Sequence, residues 1–279
     1  MPELPEVETI KNTVAAAVDG AVILNVIVNQ PKLRLPVPND FTKQIVGARI
    51  ESFKRIAKYM LINLNNGQTI IWHFGMSGKI KIKSQMPTTF EKHDHLIIET
   101  DKGTLIYNDP RRFGLVVLCE SDKIKQHKLF ADLGPDPWDK EFNTEYLLQK
   151  FKNKKAAIKV ALLNQTIVCG IGNIYASEIL YYARILPNRT SESITKAEAE
   201  LIVKFTRQVL EEAIEAGGST IHDYKKPDGD IGYFQQKHCV YNKTGQKCPQ
   251  CRCNIRKTGG IQKTVLGGRS TFYCNTLQK

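Results

Sequence analysis

Both ends of this 279-residue chain carry side chains able to do chemistry. At the start, MPELPEVETI sets a proline directly after the initiator methionine, with carboxylates at Glu3, Glu6 and Glu8. Pro5 suits the first turn of a helix, and Glu6 and Glu8 suit the positive end of its dipole. On this stretch alone the acids need do no more than that. At the other end, Cys239, Cys248, Cys251, Cys253 and Cys274, five of the seven cysteines, crowd into the last forty-one residues. In a cytosolic protein such crowding favours a metal site over a disulfide framework. CPQC at 248–251 is a C-x-x-C knuckle, and Cys274 closes IQKTVLGGRSTFYC, which reads as a hairpin turning at Gly267–Gly268. Two knuckles that gather four thiolates form a zinc ribbon, in which tetrahedral Zn²⁺ folds a segment too small to fold alone. Here the second knuckle is incomplete, because Leu277 stands in the fourth slot. Cys253, Cys239 or His238 are the candidate replacements, and the alternative is a hairpin packed by free thiols, which behave as small hydrophobes.

The bulk properties restrict what these ends can serve. A hydrophobic content of 42% allows a real core, and the length suggests roughly two domains. The formal charge is +12 and is unevenly placed. Residues 1–149 carry 19 basic and 18 acidic side chains (+1), and residues 150–279 carry 21 and 10 (+11). A compact basic half is the electrostatic footprint of a protein that neutralises phosphates. No Lys/Arg-rich amphipathic helix with an aromatic apolar face suggests a membrane surface instead, and no run of eighteen apolar residues is present. The acidic N-terminus is unlike a signal peptide. The expectation is a soluble, cytoplasmic protein.

Three kinds of element must position the chemistry, and the fold class expected is α+β. After a short N-terminal helix, AVILNVIVNQ, YMLINLNNGQTIIWHF, KIKIKS, HLIIETDKGTLIYND and RRFGLVVLCE are short and β-branched, with NNGQ and TDKG as hairpin turns. No helix alternates with them, so a sandwich of antiparallel sheets is expected over residues 1–133. The proline-rich stretch 134–149 reads as a linker. From NTEYLLQKF to about residue 216 the period becomes helical in KKAAIKVALLNQ, NIYASEILYYARI and TKAEAELIVKFTRQVLEEAIEAG. TIVCGIGN joins the first two of these last three segments and ends at Asn173, a suitable N-cap. Its GxG is no dinucleotide site, since no strand precedes it and the next glycine is missing. The helical region is assigned to 150–233, including a glycine-rich loop at 217–233, and the cysteine module to 234–279.

Five motifs, MPELPEVET, HFGMSG, NDPRRFG, GIGNIYASEIL and GGRSTFYC, occur in this order along essentially the whole chain. Together they resemble the formamidopyrimidine-DNA glycosylase (MutM-type) branch of the Fpg/Nei superfamily; the Nei branch typically has Gly where Leu4 stands. That resemblance implies a β-sandwich, a helix-two-turns-helix domain and a zinc-ribbon-like β-hairpin. It also gives the opening proline a task. Removal of Met1 would leave Pro2 a secondary amine of pKa near ~8, partly neutral and nucleophilic at working pH. The resemblance implies attack on C1′ of a damaged nucleotide, with Glu3 moving protons at the sugar and Glu6 as the supporting carboxylate.

A base inside a duplex must be extruded and its place filled. The family's methionine, arginine and phenylalanine for that purpose match Met76, Arg111 and Phe113, although ordinary core packing is the bland reading of Met76 and Phe113. Lys58, His73, Asn173 and Arg269 match positions that grip the DNA backbone, with Lys155 and Tyr241 as further candidates and Lys58 and Arg269 counted with the catalytic set. His93 and His95 read as structural strand residues, and Thr220 and Tyr224 as loop contacts to the extruded base. Cys248, Cys251 and Cys274 are the implied ligands of one Zn²⁺, with Leu277 and an unusually long Cys251–Cys274 segment as departures. The implied activity is a bifunctional glycosylase and AP lyase of base excision repair. It would act, as a monomer associated with the nucleoid, on double-stranded DNA that contains oxidised purines or abasic sites. A Nei-like pyrimidine enzyme and a non-catalytic damaged-DNA-binding protein are the competing readings.

Overall fold

Helix α1 (Leu4–Val18) opens the fold, with Pro5 in its first turn, and it buries Leu4, Val7, Ile10, Val14 and Val18 at three- and four-residue spacing. The computed structural model describes residues 1–219 and 233–279; Thr220 and Tyr224 lie outside the described residues. The chain divides into one unit of Met1–Ala131 with Ile214–Gln235 and another of Asp132–Ala213 with Gln236–Lys279.

In the first unit, β1 (Ile23–Val28), α2 (Phe41–Ile45), β2 (Ile50–Ile56), β3 (Tyr59–Leu64), β4 (Gln68–His73), β5 (Lys79–Lys83), β6 (Asp94–Thr100), β7 (Gly103–Asn108) and β8 (Leu115–Glu120) follow α1. They form two antiparallel four-stranded sheets, ordered β1-β6-β7-β5 and β2-β3-β4-β8. Between them lies a core of Ile23, Val26, Ile62, Ile70, Trp72, Leu96, Ile98, Leu105 and Tyr107, joined by the apolar stripe of α1. Strand β2 and helix α2 have no counterpart in the sequence reading. ESFKRI buries few of its side chains, and its charges hide the alternation that marks a half-buried strand.

The topology places the functional motifs. Strand β4 belongs to one sheet and β5 to the other, so HFGMSG is a crossover between sheets; NDPRRFG, between β7 and β8, is the return crossover. Because Lys79 pairs with Asn108 and His73 pairs with Leu115, the two crossovers leave the sandwich side by side. Their glycines are required by that proximity: a Cβ on Gly75 would lie 2.4 Å from the Phe113 carbonyl carbon, and one on Gly114 would lie 1.8 Å from the Tyr107 hydroxyl.

The second unit holds α3 (Thr144–Phe151), α4 (Ile158–Leu163), α5 (Asn173–Tyr182) and most of α6 (Lys196–Glu215). After them come the short α7 (Phe234–Lys237), α8 (Ile255–Thr258) and the hairpin of β9 (Gln262–Leu266) with β10 (Arg269–Tyr273). Helix α4 starts later than KKAAIKVALLNQ suggests, because the backbone at 154–157 pairs instead with 190–192: Ser191 N–H donates to the Ala156 carbonyl and Glu192 N–H to that of Lys154. The cap of α5 is Gly172, and Asn173 is its first helical residue. The Asn173 side chain is drawn inward, which leaves the capping position to the residue before it. Gly267 and Gly268, at φ 54° and 72°, make the tight hairpin turn that needs two left-handed residues.

Candidate nucleic-acid interface and metal centre

At the N-terminus, Met1 is 45% exposed while Pro2, Glu3 and Glu6 are buried. Glu6 Oε2 accepts the Glu3 N–H at 2.9 Å, fixing the backbone that carries Pro2 and Glu3. Its other oxygen, Oε1, accepts the Ser219 N–H at 2.8 Å. Gly218, at φ 79°, lets the chain approach this carboxylate: a Cβ there would stand 3.0 Å from Glu6 Oε1. Glu8 is engaged differently, in ion pairs with Lys11 and Arg55 on the flank of α1.

The paired crossovers are organised by Asp109, which is fully buried. Its carboxylate accepts from Ser77 Oγ at 2.5 Å, Tyr107 OH at 3.1 Å and the Gly114 N–H at 2.9 Å. Its carbonyl also lies 2.8 Å from His95 Nε2. One acid therefore ties together both loops and a neighbouring strand, and burial with this carboxylate pushes the Tyr107 phenol far up. His95 is thereby a structural strand residue. Held on this frame, Phe113 is 46% exposed, Met76 is half-buried, and the Arg111 guanidinium stacks 4.7 Å over the Phe113 ring. Core packing does not account for Phe113.

His73, at the end of β4, is buried beside these loops. Its Nδ1 accepts the Gly75 N–H at 3.0 Å, which assigns the proton of the neutral ring to Nε2. Burial, with Arg34 and Lys58 nearby and Asp109 opposing, pushes its pKa down to about 4. His73 is a neutral donor at working pH. It lines a groove with Met1, Arg34, Gly75, Met76 and Phe113. Lys58 is buried at the start of the hairpin formed by β3 and β4, where it is one of the cations that depress His73. Neither Asp109 nor Arg34 stands out in the sequence. Asp109 sits inside a motif noted for its arginine and phenylalanine, and Arg34 lies in a proline-rich connection with no periodic signal.

In the second unit, Asn173 Oδ1 accepts from Lys159 Nζ at 2.8 Å, and its Nδ2 donates to the Ser270 carbonyl at 3.0 Å. Lys159 is fully buried and also reaches the Ser270 carbonyl and Thr271 Oγ1. It thus ties α4, α5 and β10 together. The visible signal was a lysine on the buried side of an otherwise apolar helix, between Ile158 and Leu162. Arg269 is exposed at the hairpin turn and lines a groove with Lys154, Ala156, Val160 and Asn164. Lys155 is exposed next to Lys154. Tyr241 is half-buried against Phe272, with ring centroids 5.0 Å apart. Its N–H donates to Glu178, a buried carboxylate that also accepts the Cys239 and Val240 N–H groups. Burial raises the Glu178 pKa against those three bonds.

The sulfurs of Cys248, Cys251 and Cys274 lie within 4.8 Å of one another, a group that could hold a metal ion. Cys251 and Cys274 are 3.7 Å apart. A tetrahedron with 2.3 Å zinc–sulfur bonds has edges of about 3.8 Å. Backbone N–H groups of Gln250 and Cys251 point at Cys248, and those of Thr276 and Leu277 at Cys274, the arrangement that stabilises thiolates. Leu277 packs into the apolar cluster of Tyr181, Cys248 and Phe272. The donor set fits a thiophilic metal such as zinc.

Residues 1–116 match the formamidopyrimidine-DNA glycosylase N-terminal domain, and residues 133–225 match the H2TH domain of formamidopyrimidine-DNA glycosylase. A formamidopyrimidine-DNA glycosylase of Rhodospirillum rubrum is 43% identical, with both chains covered in full. This chain belongs to the formamidopyrimidine-DNA glycosylase family. Among solved members of that family, the Lactococcus lactis protein with DNA containing an abasic site matches over both full lengths at TM-score 0.90 and 32% identity. The same Lactococcus protein with N7-benzyl-Fapy-dG DNA matches equally well, again at TM-score 0.90 and 32% identity. The antiparallel sandwich, the helical region and the cysteine-bearing hairpin expected from the motifs are thus the architecture of the family. Among the described residues no helix is long and apolar enough to cross a membrane.

Proposed function

We propose that this chain is a bifunctional DNA glycosylase and AP lyase that excises oxidised purines from duplex DNA. The observation that carries the reading is the N-terminus of this family member: Pro2 and Glu3 buried at the head of α1, with Glu6 fixing the Glu3 amide and Met1 exposed to removal. Freed of Met1, the Pro2 nitrogen attacks C1′, the C1′–base bond breaks, and the departing base takes a proton. The attached nitrogen gives up its proton, the C1′–O4′ bond opens with a proton delivered to O4′, and the iminium so formed acidifies the C2′ hydrogens. Glu3 accepts and returns protons at the sugar, and β- then δ-elimination expels the 3′ and 5′ phosphates.

Met76, Arg111 and Phe113 fill the space left by the extruded nucleotide. An apolar wedge and an aromatic ring replace lost stacking, and the guanidinium meets acceptors of the orphaned base. Lys58, His73 and Arg269 hold phosphates, as does the N-terminus of α5 at Asn173; Lys155 and Tyr241 lie beside this set. His73 does so as a neutral N–H donor, so it adds a hydrogen bond without a charge. Zinc held by Cys248, Cys251 and Cys274 supplies structure to the hairpin that presents Arg269 and takes no part in the chemistry.

Borohydride trapping on duplex DNA with 8-oxoguanine opposite cytosine tests this reading. The parent protein with Met1 removed forms a covalent adduct and nicks the strand. Protein that keeps Met1, in which the Pro2 nitrogen is an amide, binds the same duplex and forms none. Equal trapping by the two proteins refutes Pro2 as nucleophile, and preferential trapping on an oxidised pyrimidine refutes the purine assignment.

A further inference from the structure

The segment that departs from the double-knuckle pattern also supplies a replacement for what is missing. Structural zinc is four-coordinate. Cys248, Cys251 and Cys274 leave one position open, and Leu277 fills its own slot with apolar packing. Among the described residues, the other donors considered are engaged elsewhere. The Cys239 thiol donates to Tyr182 OH at 3.3 Å within the apolar cluster, and its backbone is held by Glu178. The His238 ring is buried edge-on to Tyr241.

Cys253 is placed differently. Its Sγ lies 2.8 Å from Cys251 Sγ, and its thiol also meets the side chain of Thr276, the residue before Leu277. It therefore lies next to one sulfur of the cluster and next to the residue before Leu277. Two sulfurs bound to one zinc stand about 3.8 Å apart, so a metal taken up between Cys251 and Cys253 would widen their 2.8 Å separation by about 1 Å. The chain around it suits the resulting charge. Four thiols that bind one Zn²⁺ release four protons and leave a site of charge −2. Arg252, Arg256 and Lys257, all exposed, flank Cys253. Directly after it, Asn254 caps the turn of α8, with Oδ1 accepting the Arg256 N–H at 3.0 Å, and Gly259 closes that turn at φ 74°. The extra length between Cys251 and Cys274 thus begins with an ordered connection.

Resting on the zinc reading above, we propose that Cys253 is the fourth zinc ligand of this chain. The site is then closed from within a C-x-x-C-x-C run instead of from behind Cys274. The test uses the full-length protein, with metal content measured after purification and cobalt(II) as the spectroscopic probe. The parent chain carries one zinc, and its cobalt form shows thiolate-to-metal charge-transfer intensity appropriate to four sulfurs. Cys253→Ser loses about a quarter of that intensity, and its zinc affinity falls by about a hundredfold, one ligand's share of a structural zinc site. Cys119→Ser, on β8 of the other unit, changes neither. Adding Leu277→Cys to Cys253→Ser restores both the intensity and the affinity, which a general loss of folding would not permit. Should Cys253→Ser keep the parent spectrum and affinity, the assignment of Cys253 is overturned while zinc itself stands. A parent protein that binds neither zinc nor cobalt overturns both, and leaves the Pro2 chemistry to be judged by trapping.

Discussion

At the scale of single residues, the chemistry resides in groups whose surroundings determine their protonation. His73 titrates near 4 in the folded chain and near 6.5 when unfolded, so the native state binds fewer protons between those values. Its contribution to stability is complete above pH 6.5 and is lost as the pH falls through that window toward 4, by up to about 3 kcal/mol. Urea unfolding at pH 7 and pH 4.5 should show this loss, and His73→Gln should reduce it. Pro2 and Glu3 stand out in the sequence only beside the other family motifs, because on their own they suit a helix start equally well, whereas the cysteines stand out by crowding into the last forty-one residues. The sequence did not reveal Asp109 or Lys159. A buried ion's partners are backbone amides, carbonyls and hydroxyls brought together by tertiary structure, and those groups leave no pattern along the chain. Nor could spacing alone separate Phe113 from a core aromatic. What distinguishes it is a crossover between sheets, which turns the ring out to solvent.

At the scale of elements, the strands and hairpins were legible from β-branched runs and turn residues, and the long helices from their apolar period. Boundaries failed where a side chain or a distant backbone segment intervened. Asn173 forfeits its capping role because its amide is claimed by Lys159 and Ser270, and α4 is delayed by pairing with 190–192. Lys159 is the joint of this region. Replacing it with Met keeps the aliphatic stem but deprives Asn173 Oδ1, the Ser270 carbonyl and Thr271 Oγ1 of their shared donor. We expect Lys159→Met to lose about 3 kcal/mol, from hydrogen bonds to a charged group and the buried acceptors left behind. Thermal unfolding measures the loss, and a variant as stable as its parent would remove Lys159 from this role.

At the scale of the whole molecule, the asymmetry of charge governs how DNA is met. Residues 150–279 hold +11 of the total +12, and Arg269 is exposed at the tip of a hairpin in that half. Each phosphate neutralised by a cation releases counterions, so affinity falls with salt. Arg269→Ala should lower the slope of log affinity against log salt by about 1, whereas Phe113→Ala should weaken binding to damaged duplex with the slope unchanged. Fluorescence anisotropy across a salt series checks both, and equal slopes for Arg269→Ala and its parent would show that this arginine does not contact phosphate. The division into an almost neutral half and a basic one was readable from counting charges. The joining of distant segments was not, and the clearest case is Glu6, one of whose oxygens steadies the first residues while the other receives an amide 213 positions downstream. One carboxylate thus clasps the start of the chain to residue 219. Substitutions that displace the Ser219 amide should therefore alter turnover through Glu6, and compensating changes should arise near the start of the chain.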